Sequence, residues 1–371
     1  ASSALTATAD YMVAIGHSAG YSNTSGAGNV AIGYQALAEN TTGTHNIAIG
    51  YGAMDDTDTA LANSSIAIGT NALGGTYSSS ANDKNIAIGA SAIDSNLAGG
   101  ASDNVAIGDS TLSSLTTGYS NVAIGSSACT NTTVGRHNVA IGHLAFDAGD
   151  TDGACVAIGY GALTSANVDS SGSNTTTYNV AVGYFAGDEI TTGVNNICIG
   201  ASSDPSASDG TGQIAIGKGV TCTGDNTITV GIGSSTASLG LDGSDTSWAA
   251  ASSDERLKEN IESSSAGLGF INDLRPVTYN WKKAKDVQKE LPQYKDSNDP
   301  VLGTEYGETL HGFIAQEVKK AIDNNDDIKE GFKMWKLKDD GTQTVADGNL
   351  IPILVKAIQE LSAQVEELKN K

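Results

Sequence analysis

The chain has 371 residues, 42 acidic against 20 basic, a net charge of −22, and only 5% aromatic side chains. So acidic a chain repels nucleic-acid phosphates and anionic membrane surfaces. It also holds no apolar run of the roughly 18 residues that a membrane span needs, so neither nucleic acid nor membrane insertion is expected.

Charge and glycine divide the chain in two. Residues 1–252 hold 20 acidic and 3 basic groups and 37 of the 45 glycines, whereas residues 253–371 hold 22 acidic and 17 basic groups. Every Trp (Trp248, Trp281, Trp335) lies at or after this seam. The first part is too poor in large side chains for a thick globular core. Its Ser, Thr, Asn and Gly content alone would read as disorder, but its apolar residues are too regularly placed for that.

The regularity is a five-residue word: MVAIG ending at Gly16, NVAIG at Gly33, NIAIG at Gly50, and so on to NVAVG at Gly183, NICIG at Gly200, QIAIG at Gly217 and a degenerate TITVG at Gly231. Successive word glycines stand 17, 17, 19, 20, 19, 17, 17, 17, 24, 17, 17 and 14 residues apart. A second word, Ala followed by Leu, Met or Ile, begins three residues after the glycine, as at Ala36-Leu37, Ala53-Met54 and Ala72-Leu73. Alternation with β-branched residues predicts a short strand in each copy, ended by a glycine turn. Stacking the copies in register gives a parallel sheet, about 60 Å long at ~4.8 Å per coil. The Val/Ile parity is expected to be the buried stripe. The asparagines before it (Asn29, Asn46, Asn85, Asn104, Asn121, Asn138, Asn179, Asn196) are expected to stack as an amide ladder. The alanine of opposite parity is small in nearly every copy, which two readings explain: a neighbouring subunit packs closely on it, or it faces a second sheet of its own coil. The variable spacers, such as 164–178, become loops on one side.

Over about residues 11–233 these words resemble the left-handed parallel β-roll heads of trimeric autotransporter adhesins of the YadA type. The repeats here are longer and less uniform than in those heads. The resemblance implies a homotrimeric fibrous head or shaft (1–233) that binds surfaces.

Residues 234–252, rich in Ser, Gly and Asp, read as a neck. Beyond it, LRPVTYNWK (274–282) reads as a strand after a turn. Phe313, Ile314, Ala315, Val318, Ala321 and Ile322 form a helical stripe. Asn349 is placed to cap a final helix, a coiled coil over 350–371. There Leu354, Ile358, Leu361, Val365 and Leu368 are spaced 4, 3, 4 and 3, a coiled-coil seam whose residue types lean to a dimer.

SDERLKENI (253–261), LRPVTYNWK and HGFIAQEV (311–318) together resemble the C-terminal intramolecular chaperone, auto-processing domain of phage tailspikes and tail fibres, as in endosialidases, a self-cleaving serine peptidase family. The resemblance spans 253–371. It implies that the domain brings three chains into register and then cuts itself off, with Ser253 as nucleophile, Lys258 as its partner, and the cut between Ser252 and Ser253. Asn260 and His311 match polar motif positions in supporting roles. The chemistry is sound by itself. Ser253 Oγ attacks the Ser252 carbonyl, and a neutral lysine takes the hydroxyl proton, a nucleophile–base pair that recurs on unrelated folds. Ser-x₄-Lys alone carries no information. The competing structural reading is that Ser253 caps a helix starting at Asp254, with Lys258 on its solvated face.

Other signals are weaker. His17, Tyr34, Tyr51, His143, Tyr160 and Tyr184 each follow a word glycine, and read either as a structural ladder or as sugar-stacking rings. Asp55, Asp56 and Asp58 read as a solvated loop rather than a Ca²⁺ site. The cysteines (Cys129, Cys155, Cys198, Cys222) have no CxxC spacing and read as small buried thiols, not a disulfide framework. No cofactor and no metal are expected.

The expected fold class is mostly β: a repetitive parallel β-roll or β-helix forming a trimeric fibre, then a small α+β chaperone domain ending in a coiled-coil helix. The expected function is structural and adhesive, that of a bacteriophage tail fibre or tailspike on the virion tail. Its partners would be two further copies, a host-surface glycan or protein receptor, and other virion tail proteins. The alternatives are a polysaccharide depolymerase and a bacterial cell-surface adhesin.

Overall fold

The computed structural model describes residues 11–57, 62–77, 82–167, 175–241, 249–250, 255–302, 307–326, 328–329, 332–338 and 340–371. The chain divides into two compact units, 1–253 and 254–371.

The first unit is a parallel β-solenoid. Each five-residue word contributes a three-residue strand, such as Val30–Ile32, Ile47–Ile49 and Ile66–Ile68. Each strand pairs in parallel with the next copy at identical register: Val30 opposite Ile47, Ala31 opposite Ala48, Ile32 opposite Ile49. The resulting sheet has fifteen strands. At its C-terminal edge Thr227–Ile232 still runs parallel to Ile214–Ile216, but Ser235–Gly240 and then Ala249–Ala250 join antiparallel. Both antiparallel strands fall within the segment read as a neck. The antiparallel hairpin ends the run of coils and covers an edge that would otherwise offer unpaired N–H and C=O groups.

The buried parity is the reverse of the expectation. The strand alanines Ala31, Ala48, Ala67, Ala87 and Ala106 are fully buried, while the flanking Val and Ile face outward, half-buried or exposed. The small residue therefore faces its own coil, as the second reading had it, but among the described residues the wall opposite is made by the turns of the second word and not by a second sheet. The physical reason is width. A coil of 17 to 20 residues encloses a narrow interior already filled by the second word, whose Leu37, Met54, Leu73, Ile93, Leu112 and Leu163 are fully buried. β-Branched side chains opposite them would overpack it. Cys198 stands in a strand-alanine position and, like the other three cysteines, is free and buried.

The asparagine ladder forms inside the coil as expected. Asn29 Oδ1 accepts the backbone N–H of Asn46 at 2.8 Å, and Asn46 Oδ1 accepts that of Ser65 at 3.0 Å. The side-chain amides donate to loop carbonyls, Asn29 Nδ2 to Gly43 at 2.7 Å and Asn46 Nδ2 to Ala62 at 2.6 Å. These amides are buried and satisfied, so they fix coil register without a desolvation penalty.

Two backbone devices close each coil. The word glycines sit at φ near +140°, and a Cβ on Gly33 would lie 2.2 Å from the Gly50 carbonyl oxygen. The buried residues of the second word are left-handed, with φ between +51° and +54° from Leu37 through Leu163. That conformation costs about 1–2 kcal/mol for an L-residue. It is offset by burial and by coil-to-coil hydrogen bonds such as Leu37 N–H to Ala53 O at 2.9 Å.

The second unit is α+β. Helix α1 (Leu268–Asp273) and helix α3 (Ile351–Lys369) pack together, with α2 (Ala315–Asp323) beside α1. Their core gathers Phe270, Val318, Ala321, Ile322, Met334, Leu350 and Ile353. As predicted, Val277–Tyr279 is a strand; of the predicted helical stripe, Val318, Ala321 and Ile322 are the buried face of α2, whereas Phe313 and Ile314 precede the helix. Asn349 does not cap α3. It lies in a short 3₁₀ turn (Asp347–Leu350), and its Nδ2 donates to the Lys333 and Ala346 carbonyls at 3.4 Å. The helix starts instead with Pro352 in its first turn, where a missing N–H has no cost. On α3 the seam residues Leu354, Ile358, Leu361, Val365 and Leu368 are all exposed.

Candidate functional site

The candidate site is the start of the second unit. Ser252 and Ser253 lie outside the described residues, as does Asp254. Glu255–Leu257 forms one 3₁₀ turn, closed by the Lys258 N–H donating to the Glu255 carbonyl at 3.0 Å. Lys258 and Asn260 are exposed, and Asn260 is left-handed with φ 53°. A single turn stands where the competing reading placed a capped helix.

His311 lies in the strand Leu310–Gly312, directly opposite Thr278 of Val277–Tyr279, and is exposed. The structure therefore joins two of the three sequence motifs through a strand pair. A second link reinforces it. Arg275, from LRPVTYNWK, grips Glu317, from HGFIAQEV, with Nε 3.0 Å from one carboxylate oxygen and NH2 on the other. That two-pronged hydrogen bond, with the guanidinium charge, holds Glu317 below the usual carboxylate range. Asn280 Nδ2 donates to the Gly307 and Glu308 carbonyls at 3.0 and 2.6 Å, tying down the segment that leads into the His311 strand.

Sequence reasoning missed Arg275, Asn280 and Glu317 as a positioning set, although all three stand inside the quoted motifs. It also missed Glu360, whose Oε2 accepts the Leu268 N–H at 2.8 Å and so fastens the start of α1 to α3. A Cβ at Gly267 would fall 2.5 Å from that carboxylate, so a larger residue there would push the Glu360 side chain off this contact. A lone glutamate on an amphipathic helix gives no sequence signal for such a contact.

Elsewhere, Asp56 accepts a hydrogen bond from Thr76 Oγ1 at 2.5 Å. Burial raises the Asp55 carboxyl, and Asp58 lies outside the described residues. Among the described residues, no three metal-ligating side chains converge. Burial pushes the thiols of Cys129 and Cys155 up to about 12 and about 11, which makes them poor nucleophiles.

Residues 253–327 match the model of a peptidase family described as the chaperone of endosialidase. Such a match implies autocatalytic cleavage by this domain. No curated protein and no solved structure matches the chain. A β-solenoid followed in sequence by a segment that matches the endosialidase-chaperone model fits a tail-fibre-like protein with a chaperone domain.

Proposed function

We propose that this chain is the distal part of a bacteriophage tail fibre or tailspike: a homotrimeric rod on the virion tail that contacts the host surface, followed by a chaperone domain that cuts itself off between Ser252 and Ser253. The observation that carries this reading is a coincidence of boundaries. The family match begins at residue 253, and the chain changes from one compact unit to the other between 253 and 254.

Two apolar faces support the trimer. The outward Val/Ile stripe runs the length of the solenoid and includes Ile68, Ile141, Ile158 and Ile199, each at least 36% exposed. A contiguous apolar strip of that length marks an interaction surface. The exposed seam of α3 is the second face. Its Ile/Val and Leu alternation leans to a dimer, so the third strand of a bundle would be imposed by the solenoids it serves.

The cleavage is an N-to-O acyl shift. Ser253 Oγ attacks the Ser252 carbonyl carbon while Lys258 Nζ accepts the hydroxyl proton. The C–N bond breaks, the Ser253 amine leaves with a proton, and the resulting ester is opened by water to a Ser252 carboxylate and a free Ser253 hydroxyl. A lysine base must be neutral, which burial or a cationic neighbour such as Arg256 favours. Lys258 is exposed in the single chain. Covering it on assembly would make cleavage follow correct folding.

Intact-mass measurement on freshly purified protein tests this. The wild type is expected to give two fragments divided between Ser252 and Ser253, and Ser253→Ala and Lys258→Ala a single chain. An uncut wild-type trimer would make the second unit a permanent trimerising tip instead.

A further inference from the structure

The residue after each word glycine forms a column on the outside of the solenoid. In two places this column is aromatic over three successive coils: His17–Tyr34–Tyr51 and His143–Tyr160–Tyr184. Within each, neighbouring rings stack, with centroids 5.0 to 5.3 Å apart and planes within 16° of parallel. The four tyrosines are 41% to 56% exposed. After each ladder the column continues with a small residue, Thr70 or Ala201, which cannot stack on the last ring.

The fold does not require these rings. Between the ladders the column holds Thr70 and Asp109, yet their preceding glycines keep the same backbone, φ 138° and 140°, and their strands the same register. Solvent-facing aromatics kept where the turn tolerates Thr or Asp need another explanation. The ladders also share one order, His-Tyr-Tyr, and begin seven coils apart, about 34 Å at ~4.8 Å per coil.

We propose that the two ladders are binding rows for a neutral, hydroxyl-rich polysaccharide, both engaged by one extended chain. The proposal rests on the host-surface reading above and gives that reading a site. Stacking already orders the rings, so little side-chain entropy is lost on binding. Ring edges and end faces offer apolar surface to sugar C–H groups, and the phenol oxygens give and accept hydrogen bonds with sugar hydroxyls. With 20 acidic and 3 basic groups in residues 1–252, an anionic glycan would be repelled. Two spaced rows on one rigid scaffold bind a polymer with avidity that neither has alone.

The test is affinity electrophoresis of the full chain in gels cast with dextran, with yeast mannan, with a soluble β-glucan or with polysialic acid, beside variants drawn from the column's own tolerated residues. Retardation is expected in at least one neutral gel and not in polysialic acid. Tyr34→Ser with Tyr51→Thr, and separately Tyr160→Ser with Tyr184→Thr, should each weaken binding by about 10²-fold through lost avidity, and all four together should abolish it. Each variant is also sized by light scattering and checked for cleavage by mass. Undiminished binding by the fourfold variant would overturn the ladders while leaving surface binding standing. Retardation only in polysialic acid, or in no gel, would overturn them too, and the cleavage result would stand independently. Variants that bind as wild type but lose their oligomeric state would reassign the rings to subunit contacts.

Discussion

Leu73 in the solenoid and Phe270 in the C-terminal unit are both fully buried, but in different company. Leu73 stands in a column with Met54 and Ile93, its own counterparts one coil away. Phe270 meets Phe332 edge-on at 5.7 Å and shares a core with Val318, Met334 and Ile353, residues brought from across the unit. The solenoid is a sum of near-identical neighbour contacts, so its many coils specify the cross-section well and give few cues to which coil pairs with which. The C-terminal unit has no repeat, and its core can form in one arrangement. That contrast gives a physical reason for the helper role proposed above.

The most severe way to break the comparison is to put a side chain on the glycine column. At Gly50, φ is 142° and a Cβ would lie 2.3 Å from the Gly69 carbonyl oxygen and 2.7 Å from its carbon, which are backbone atoms that cannot swing aside. Gly50→Val is expected to cost about 5 kcal/mol, at the far end of single-substitution effects. Because the damage falls on one coil, limited proteolysis should open the chain near residue 50 while the second unit stays resistant. Loss of both units at once would show that they fold as one.

Phe270→Ala attacks the other side. Emptying a fully buried aromatic site costs about 3–5 kcal/mol. The expected result is loss of the C-terminal unit's melting transition in calorimetry together with a fall in correctly assembled solenoid, whereas the same loss without any effect on solenoid assembly would remove the helper role.

The smallest effect sharpens the contrast through pH. Burial, with Asp188 and Glu189 nearby, raises the Asp204 carboxyl to about 6. A carboxyl raised on folding stabilises the folded state while protonated. That contribution is complete below the unfolded value near 4 and is lost as pH rises through about 6. The solenoid's transition should therefore gain about 1–2 kcal/mol on acidification from pH 7 to pH 4, contrary to usual acid denaturation, and Asp204→Asn should flatten the profile.

Much of the first unit was legible in the sequence. The word spacing announced the strands, and the recurring Asn announced a buried amide ladder. The parity was misread because Val and Ile usually point inward. The better cue was the constancy of Ala beside Asn, since only a narrow interior demands a small residue in every row. In the second unit, the strand at 277–279 and the stripe on α2 were local patterns and could be read. Glu360 on Leu268, Arg275 on Glu317 and the failure of Asn349 to cap could not, because each depends on residues far apart in the chain. Within the candidate site, Lys258, Asn260 and His311 have described positions, and Ser252 and Ser253 do not.

The glycine column has one more consequence. Each coil asks of its neighbour only a matching backbone and one amide, as where Asn46 hands its N–H to Asn29. A 17-residue unit can therefore be duplicated or excised without redesigning anything beside it. The first unit behaves as a ruler graduated in steps of about 4.8 Å, and evolution or an engineer can set its reach by whole graduations while the hairpin at residues 227–240 stays as the end mark.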